Sequence, residues 1–297
     1  MLYARRCAES VPRISLESQP DREAANHERW AWHSWFDEGL IDVDNIIGGT
    51  SKEASAMNDL ARARRELAAV LRWSARLKYQ QGVCNHFSVM APGSDTSFLV
   101  NPEGLFWSEM TASGLLLCDL DGTILEGKGT VEMSAFSLHA PIHRHNKAAR
   151  AVLHTHSPYA TALCLIEGAL VEPVFLAGLQ FFGKIAYDED CQGAAFAASE
   201  GEREARILGD KNVLMMRSHG PIVVGPTVAA AFDRLYYLEQ TCERQLLAMS
   251  ANRPLSRVKE PIAQGLADQV AVFDAYAEKH LAAIMRVLDR EEPEYAG

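Results

Sequence analysis

The sequence has little of what marks a membrane, secreted or nucleic-acid-binding chain. No stretch reaches the roughly 18 consecutive apolar residues that a bilayer-spanning helix needs, so no membrane partner is expected. The N-terminus lacks the uninterrupted apolar segment of a secretory signal. The six cysteines (Cys7, Cys84, Cys118, Cys164, Cys191, Cys242) contain no Cys-x-x-Cys pair. Cys118 and Cys164 sit in apolar runs, as reduced core thiols do, so a disulfide framework is not expected and the reducing cytoplasm is. Twelve prolines and 20 glycines are too few for a low-complexity or collagen-like chain. Basic residues are outnumbered, 29 against 39 acids, and the net charge of −10 argues against a nucleic-acid partner. What is there is ordinary globular composition, 48% hydrophobic and 23% charged over 297 residues, enough for one large domain or two modest ones. Ten histidines remain to be placed.

Residues 1–56 read as a polar N-terminal extension. Trp30, Trp32, Trp35 and Phe36 cluster inside it, which suits an arm packed either on its own core or on a neighbouring subunit. A helix is expected from about Asn58 to Gln80, its apolar stripe built from Leu60, Leu67, Val70, Leu71 and Leu77. Strands are expected at 86–90, 97–100, 115–120, 151–156, 212–216 and 222–224, with an Asp121-Gly122 hairpin turn before residues 123–125. Helices are expected at 134–145 (shortened or kinked by Pro141), at 157–167, ending at Leu208, from 227 to about 249, and from 264 to 288. Mixed strands and helices around one core place the chain in the α/β or α+β class, with a C-terminal helical extension over 251–297.

His154 and His156 lie two apart at the end of an apolar strand, so their imidazoles point to one face. The plain alternative is two polar residues on a solvated face. His219, wedged before Gly220-Pro221 at the end of another buried strand, supplies a third nitrogen. Strand ends are where α/β proteins place ligands, and three histidines leave a divalent metal with open positions for substrate. His139 and His143 are four apart on a helix but lack the acid of an HExxH pattern, and they read as core or interface residues. His27, His33, His145 and His280 read as surface residues.

The stretches Cys84-Asn85-His86-Phe87-Ser88-Val89, Asn101-Pro102-Glu103-Gly104 and Asp119-Leu120-Asp121-Gly122 resemble the class II aldolase/adducin family. So do Phe136-Ser137-Leu138-His139, the run from Ala151 to Pro158, and Arg217-Ser218-His219-Gly220 with Val224-Gly225. The set occurs in family order over a domain placed at residues 57–250. The resemblance implies an αβα sandwich around a mostly antiparallel central sheet, and a homotetramer with its site between subunits. It also implies a divalent metal on His154, His156 and His219, zinc first, with Fe2+ or Mn2+ as alternatives.

The chain departs from the sugar-phosphate aldolases of that family and looks like the adducin-like branch that lacks the aldolase Glu. Where their Ser-Ser-Glu motif carries the proton-transfer Glu, this chain has Met133-Ser134-Ala135, so position 135, expected to face the site, has no carboxylate. Glu132 is out of phase by almost a helical turn. Their phosphate contacts correspond to His86 and Glu103 here, and their acid Tyr to Pro173-Val174-Phe175-Leu176. A negative Glu103 repels phosphate. The expectation is therefore a carbon–carbon lyase of decarboxylase or retro-aldol type for a non-phosphorylated hydroxy, keto or hydroxy-aromatic carboxylate. His86, Glu103 and Tyr187 are the candidates for proton transfer, and Asn101, Gly104 and Ser134 for substrate contact. Two other functions stand beside it: a three-histidine Fe(II) oxygenase, and a non-catalytic adducin-like interaction module.

Overall fold

Short apolar segments that change direction at Gly, Pro and Asx turns build one sheet in this protein. The computed structural model describes residues 51–190 and 198–297; the tryptophan cluster, Cys7, His27, His33 and Cys191 lie outside the described residues. The strands are β1 (His86–Met90), β2 (Ser97–Val100), β3 (Leu116–Asp119), β4 (Ile124–Glu126), β5 (Ala151–His154), β6 (Ile185–Asp188), β7 (Val213–Met216) and β8 (Gly220–Gly225). Their spatial order is β4-β3-β2-β1-β5-β8-β7-β6. Every pairing is antiparallel except β6 with β7, which is parallel. Seven helices accompany them among the described residues: α1 (Ser51–Arg76), α2 (Met133–His145), α3 (Pro158–Cys164), α4 (Ala198–Leu208), α5 (Val228–Ser250), α6 (Glu260–Ala267) and α7 (Val270–Glu291).

Strand alternation sorts the core into two layers. Phe87, Val89, Leu153 and Val223 join Leu67 and Leu71 of α1, Phe232 and Leu235 of α5, and Leu281 and Leu288 of α7. On the other face Val152, Leu214, Ile222 and Val224 meet Leu138 and Ile142 of α2 and Leu208 of α4. The architecture is an αβα sandwich around a mostly antiparallel sheet. His86 and Ser88 alternate with Phe87 and Val89, so they belong to the layer under α2.

Several boundaries differ from the sequence reading. The first helix begins at Ser51, because Lys52, Glu53 and Ala54 are strong helix formers that extend it before Asn58. Pro141 does not break α2. It has no N–H to offer the Ser137 carbonyl, and Gly201 of α4 packs against that same carbonyl. A Cβ at Gly201 would stand 1.7 Å from the Ser137 oxygen, so only glycine permits this helix contact. The expected helix over 264–288 is two helices, interrupted at Asp268 and Gln269, the latter with ψ 41°. β6 carried no periodic signal, since three of its four residues are half-buried at the sheet edge and the fourth, Asp188, is a buried acid. The C-terminus closes on α1: Tyr295 is buried in the first core layer, and Arg72 pairs with Glu292 at 2.9 Å and Glu294 at 2.7 Å. No described helix is long and apolar enough to cross a membrane.

Candidate metal centre

The antiparallel register of β1 and β5 sets His86 directly opposite His154. The chain leaves β5 at His154, reaches His156 two residues on, and turns into α3 at Ser157-Pro158. That turn is held from below by Glu239 of α5, a buried carboxylate that sequence reading missed. It accepts hydrogen bonds from Ser157 Oγ (2.7 Å) and from the Tyr159 and Ala160 backbone N–H groups (2.7 and 2.8 Å). A carboxylate at a helix N-terminus is favourable for both charge and unpaired N–H groups. Burial nevertheless pushes its pKa up.

The third histidine arrives on the turn between β7 and β8, where Ser218 adopts a left-handed φ of 59°. Gly220 then passes so close to the 155–156 segment that a Cβ there would lie 2.7 Å from the Thr155 carbonyl oxygen. The result is a triangle of rings, with centroids 5.0 Å (His154–His156), 4.7 Å (His154–His219) and 5.0 Å (His156–His219) apart. One nitrogen from each ring lies within 4.8 Å of the others.

The outer nitrogens are spoken for. His154 Nδ1–H donates to the Pro221 carbonyl at 3.1 Å, and His156 Nδ1–H donates to Gln81 Oε1. Both rings therefore turn Nε2 inward with its lone pair, the arrangement that hydrogen bonds outside a metal's own ligands normally impose. His156 Nε2 is buried and has no hydrogen-bonding partner among the described residues. An orphaned buried acceptor costs free energy, and a cation between the three nitrogens would satisfy it. Burial, followed by mutual repulsion where the rings face one another, holds His154 and His156 below the usual histidine range, His156 at about 4; burial alone lowers His219. Neutral imidazoles are what a divalent ion requires. The residues present fit such an ion.

Three of the other residues singled out in the sequence, His86, Ser134 and Asn101, lie at or beside this centre. His86 is 5.0 Å from the His154 ring, centroid to centroid, and its Nε2 is 3.2 Å from Ser134 Oγ. Asn101 is buried and used on backbone either side of His86: Oδ1 accepts from Phe87 N (2.9 Å) and Nδ2 donates to Asn85 O (3.4 Å). The remaining three are placed elsewhere. Glu103 is an exposed turn acid that accepts from Thr130 Oγ1 at 2.9 Å. Gly104 serves that turn with φ 84°. Tyr187 lines a small cavity with Cys164 and Met215, and its hydroxyl accepts from Val171 N at 3.0 Å.

Other histidines also differ from expectation. His280 is half-buried, its Nδ1 2.8 Å from Asp233 Oδ1, because α7 packs on α5 and brings the pair together. His139 and His143 are buried, as expected, yet they bond to one another through Ser88. Position 135 does not open into a polar site: Ala135 is buried in an apolar cluster with Met90, Phe98 and Val100. The carboxylate that communicates with His86 is Glu132, which accepts from Ser134 Oγ at 2.7 Å. Gln81 was missed because a polar residue in a loop carries no periodic signal. A second group of possible ligands, Asp188, Glu200 and Glu204, already holds a cation: the Arg203 guanidinium bonds both Asp188 and Glu200 at 2.5 Å.

An αβα sandwich with three histidines at its strand ends defines a class of fold, and comparison with known proteins agrees. The chain belongs to the class II aldolase and adducin family, whose Class II Aldolase and Adducin N-terminal domain matches residues 65–246. A Caulobacter vibrioides protein provisionally named an aldolase class 2 protein is 32% identical over 79% of this chain and 92% of its own length. Decarboxylase NovR of Streptomyces niveus is 30% identical over 74% of this chain and 83% of its own. The crystal structure of an aldolase II superfamily protein from Pseudomonas syringae superimposes with a TM-score of 0.75, at 31% identity, covering 80% of this chain and 96% of that one.

Proposed function

We propose that this protein is a metal-dependent carbon–carbon lyase, of decarboxylase or retro-aldol type, acting on a non-phosphorylated hydroxy, keto or hydroxy-aromatic carboxylate. The observation that carries the reading is the orphaned, inward-turned His156 Nε2 within a triangle of neutral histidines that includes no acid. His154, His156 and His219 would hold the ion, zinc first and Fe2+ or Mn2+ as alternatives. Bound there, a divalent ion supplies Lewis-acid stabilisation of negative charge developing on substrate oxygens.

The chain's own part is positional. His86, buried beside His154 and held neutral, is the group assigned to proton transfer, and Ser134 bonds it from α2. Glu103, Gly104 and Tyr187 have other partners or lie in a turn, so the reading gives them no role. NovR's name as a decarboxylase, at 30% identity, supports carboxylate chemistry. The exposed apolar residues Leu165, Ile166, Leu170 and Leu176 follow α3 directly and support an oligomer, taken here as a cytoplasmic homotetramer with its site between subunits. The domain is taken as residues 57–250, with extensions at 1–56 and 251–297.

Elemental analysis of the wild type against His154→Ala and His219→Ala, with a screen for release of CO2 or an aldehyde from hydroxy and keto acids, tests this. Metal in the wild type, lost in both variants together with turnover, is the expected result. Wild-type metal content in both variants would refute the centre. Iron with O2 consumption would replace the lyase by an oxygenase, and a wild type that binds no metal would leave the adducin-like interaction role.

A further inference from the structure

Under α2, one unbroken chain of hydrogen bonds runs from a backbone carbonyl to His86. The Ala149 oxygen is 2.8 Å from His143 Nδ1, and His143 Nε2 is 2.8 Å from Ser88 Oγ. Ser88 Oγ is 2.5 Å from His139 Nδ1, and His139 Nε2 is 2.7 Å from His86 Nδ1. All four side chains are buried. Proton positions follow from counting donors. A carbonyl oxygen only accepts, so His143 Nδ1 carries hydrogen. Among the described residues no carboxylate bonds His143 or His139, and burial keeps both rings neutral.

The neutral His143 therefore offers Nε2 as an acceptor, and Ser88 spends its single hydrogen there. Ser88 Oγ must then accept from His139 Nδ1–H. That leaves His139 Nε2 as the acceptor, and the hydrogen between the two rings belongs to His86 Nδ1. The other end of His86 is differently provided. Ser134 has one hydrogen and two acceptors within reach, His86 Nε2 at 3.2 Å and Glu132 Oε1 at 2.7 Å. The trio of His86, Ser134 and Glu132 is one proton short of full pairing.

We propose that His143, Ser88 and His139 are positioning residues that lock the tautomer of His86, with hydrogen on Nδ1 and the lone pair of Nε2 turned to Ser134 and Glu132. This rests on the assignment of His86 to proton transfer given above. A proton leaving a substrate C–H or O–H bond, whose electron pair stays on the substrate, forms an N–H bond at His86 Nε2. Nε2–H then donates to Ser134 Oγ, and Ser134 donates to the Glu132 carboxylate. The buried string keeps the opposite nitrogen occupied, so the proton enters at one atom only.

Long-range 15N–1H correlation spectra of the full chain labelled with ring-15N histidine, at neutral pH and with no substrate added, read the tautomers directly. His86→Gln assigns the His86 signals. The wild type is expected to show the Nδ1–H form at His86, His139 and His143. Ser88→Ala is expected to release His139 and shift His86 toward the Nε2–H form with circular dichroism unchanged, and Ser88→Thr to restore the wild-type pattern. Wild-type His86 in the Nε2–H form would overturn the proposal whatever the Ser88 variants do. Unaltered His86 signals in a folded Ser88→Ala protein would overturn it too. The spectra need no turnover, so an inactive protein with the expected tautomers counts against the lyase alone, and an active lyase with the other tautomer counts against the lock alone.

Discussion

Gly220→Ala is the most direct test of how the backbone assembles the histidine triangle. Gly220 does not have a left-handed φ, so alanine meets no backbone penalty and the cost lies entirely in contacts. Its Cβ would stand 2.7 Å from the Thr155 carbonyl oxygen and 3.1 Å from His156 Cδ2. An ordinary carbon–oxygen approach is about 3.3 Å or more, so the strand end must retreat by about half an ångström. Overpacking of this kind costs about 1–3 kcal/mol. The retreat separates the turn bearing His219 from the segment bearing His154 and His156. Disturbing the supports of metal ligands costs about 10–100-fold in affinity, and a loss in that range is expected here. Zinc affinity is read by competition with a chromophoric chelator, and stability by urea unfolding in EDTA. Gly265→Ala in α6, where a Cβ meets no neighbour within 4 Å, serves as control and should gain about 0.5–1 kcal/mol. A Gly220→Ala protein with wild-type zinc affinity and stability would refute the close-approach reasoning.

Three further substitutions follow from buried carboxylates and from position 135. Glu204 is 4% exposed, and burial, then Glu200 and Asp188, push its pKa up to about 8. The folded state thus keeps a proton that the unfolded state releases near 4.5, so stability falls as pH rises between those values; Glu204→Gln should flatten that slope and gain about 1–3 kcal/mol at pH 8, and an unchanged slope in urea unfolding would contradict it. Glu239→Ala strips three hydrogen bonds from the start of α3 and should cost about 3 kcal/mol, with a loss under 1 kcal/mol counting against the clamp. Ala135→Glu puts a carboxylate into an apolar cluster and should cost about 3 kcal/mol or more without tightening zinc binding; a stable variant with raised zinc affinity would show that the position opens to the metal after all.

The strands and most helices were legible because a sheet buried on both faces forces four-residue apolar runs, such as Val213–Met216, between Gly, Pro and Asx turns. The His154–His156 pair was legible as a spacing, but β5 ends at His154, and His156 joins it from the turn into α3 rather than by strand alternation. What was not legible depends on contacts between distant segments. Nothing local marks Gln81 as the partner of His156, or Glu239 as the cap of a helix 80 residues earlier. Tyr187 and Glu103 have the chemistry a site needs, but the parallel edge strand and the 101–104 turn place them elsewhere. His139 and His143 looked inert because helical spacing reports only that they face the core. Their hydrogen-bonding role needed Ser88, which the β1–α2 contact supplies. Glu132 looked out of phase on a helical wheel, yet it lies just before α2 with an extended ψ of 136°, where wheel phase does not apply.

That position of Glu132 bears on the choice of substrate. Three neutral imidazoles would leave a divalent ion held there its whole charge, and the carboxylate bonded into the surrounding chain meets Ser134 and, through it, His86. A half-buried Glu132 just before the helix is tied to the side of His86, the group proposed for proton transfer. Under the proposed function the balancing negative charge would arrive with the substrate, as the carboxylate of a hydroxy or keto acid. Ala135, enclosed in its apolar cluster, bears on neither side; under the proposed lyase reading Glu132 sets an acid on the side of His86, and an anionic substrate is the partner that would balance the ion.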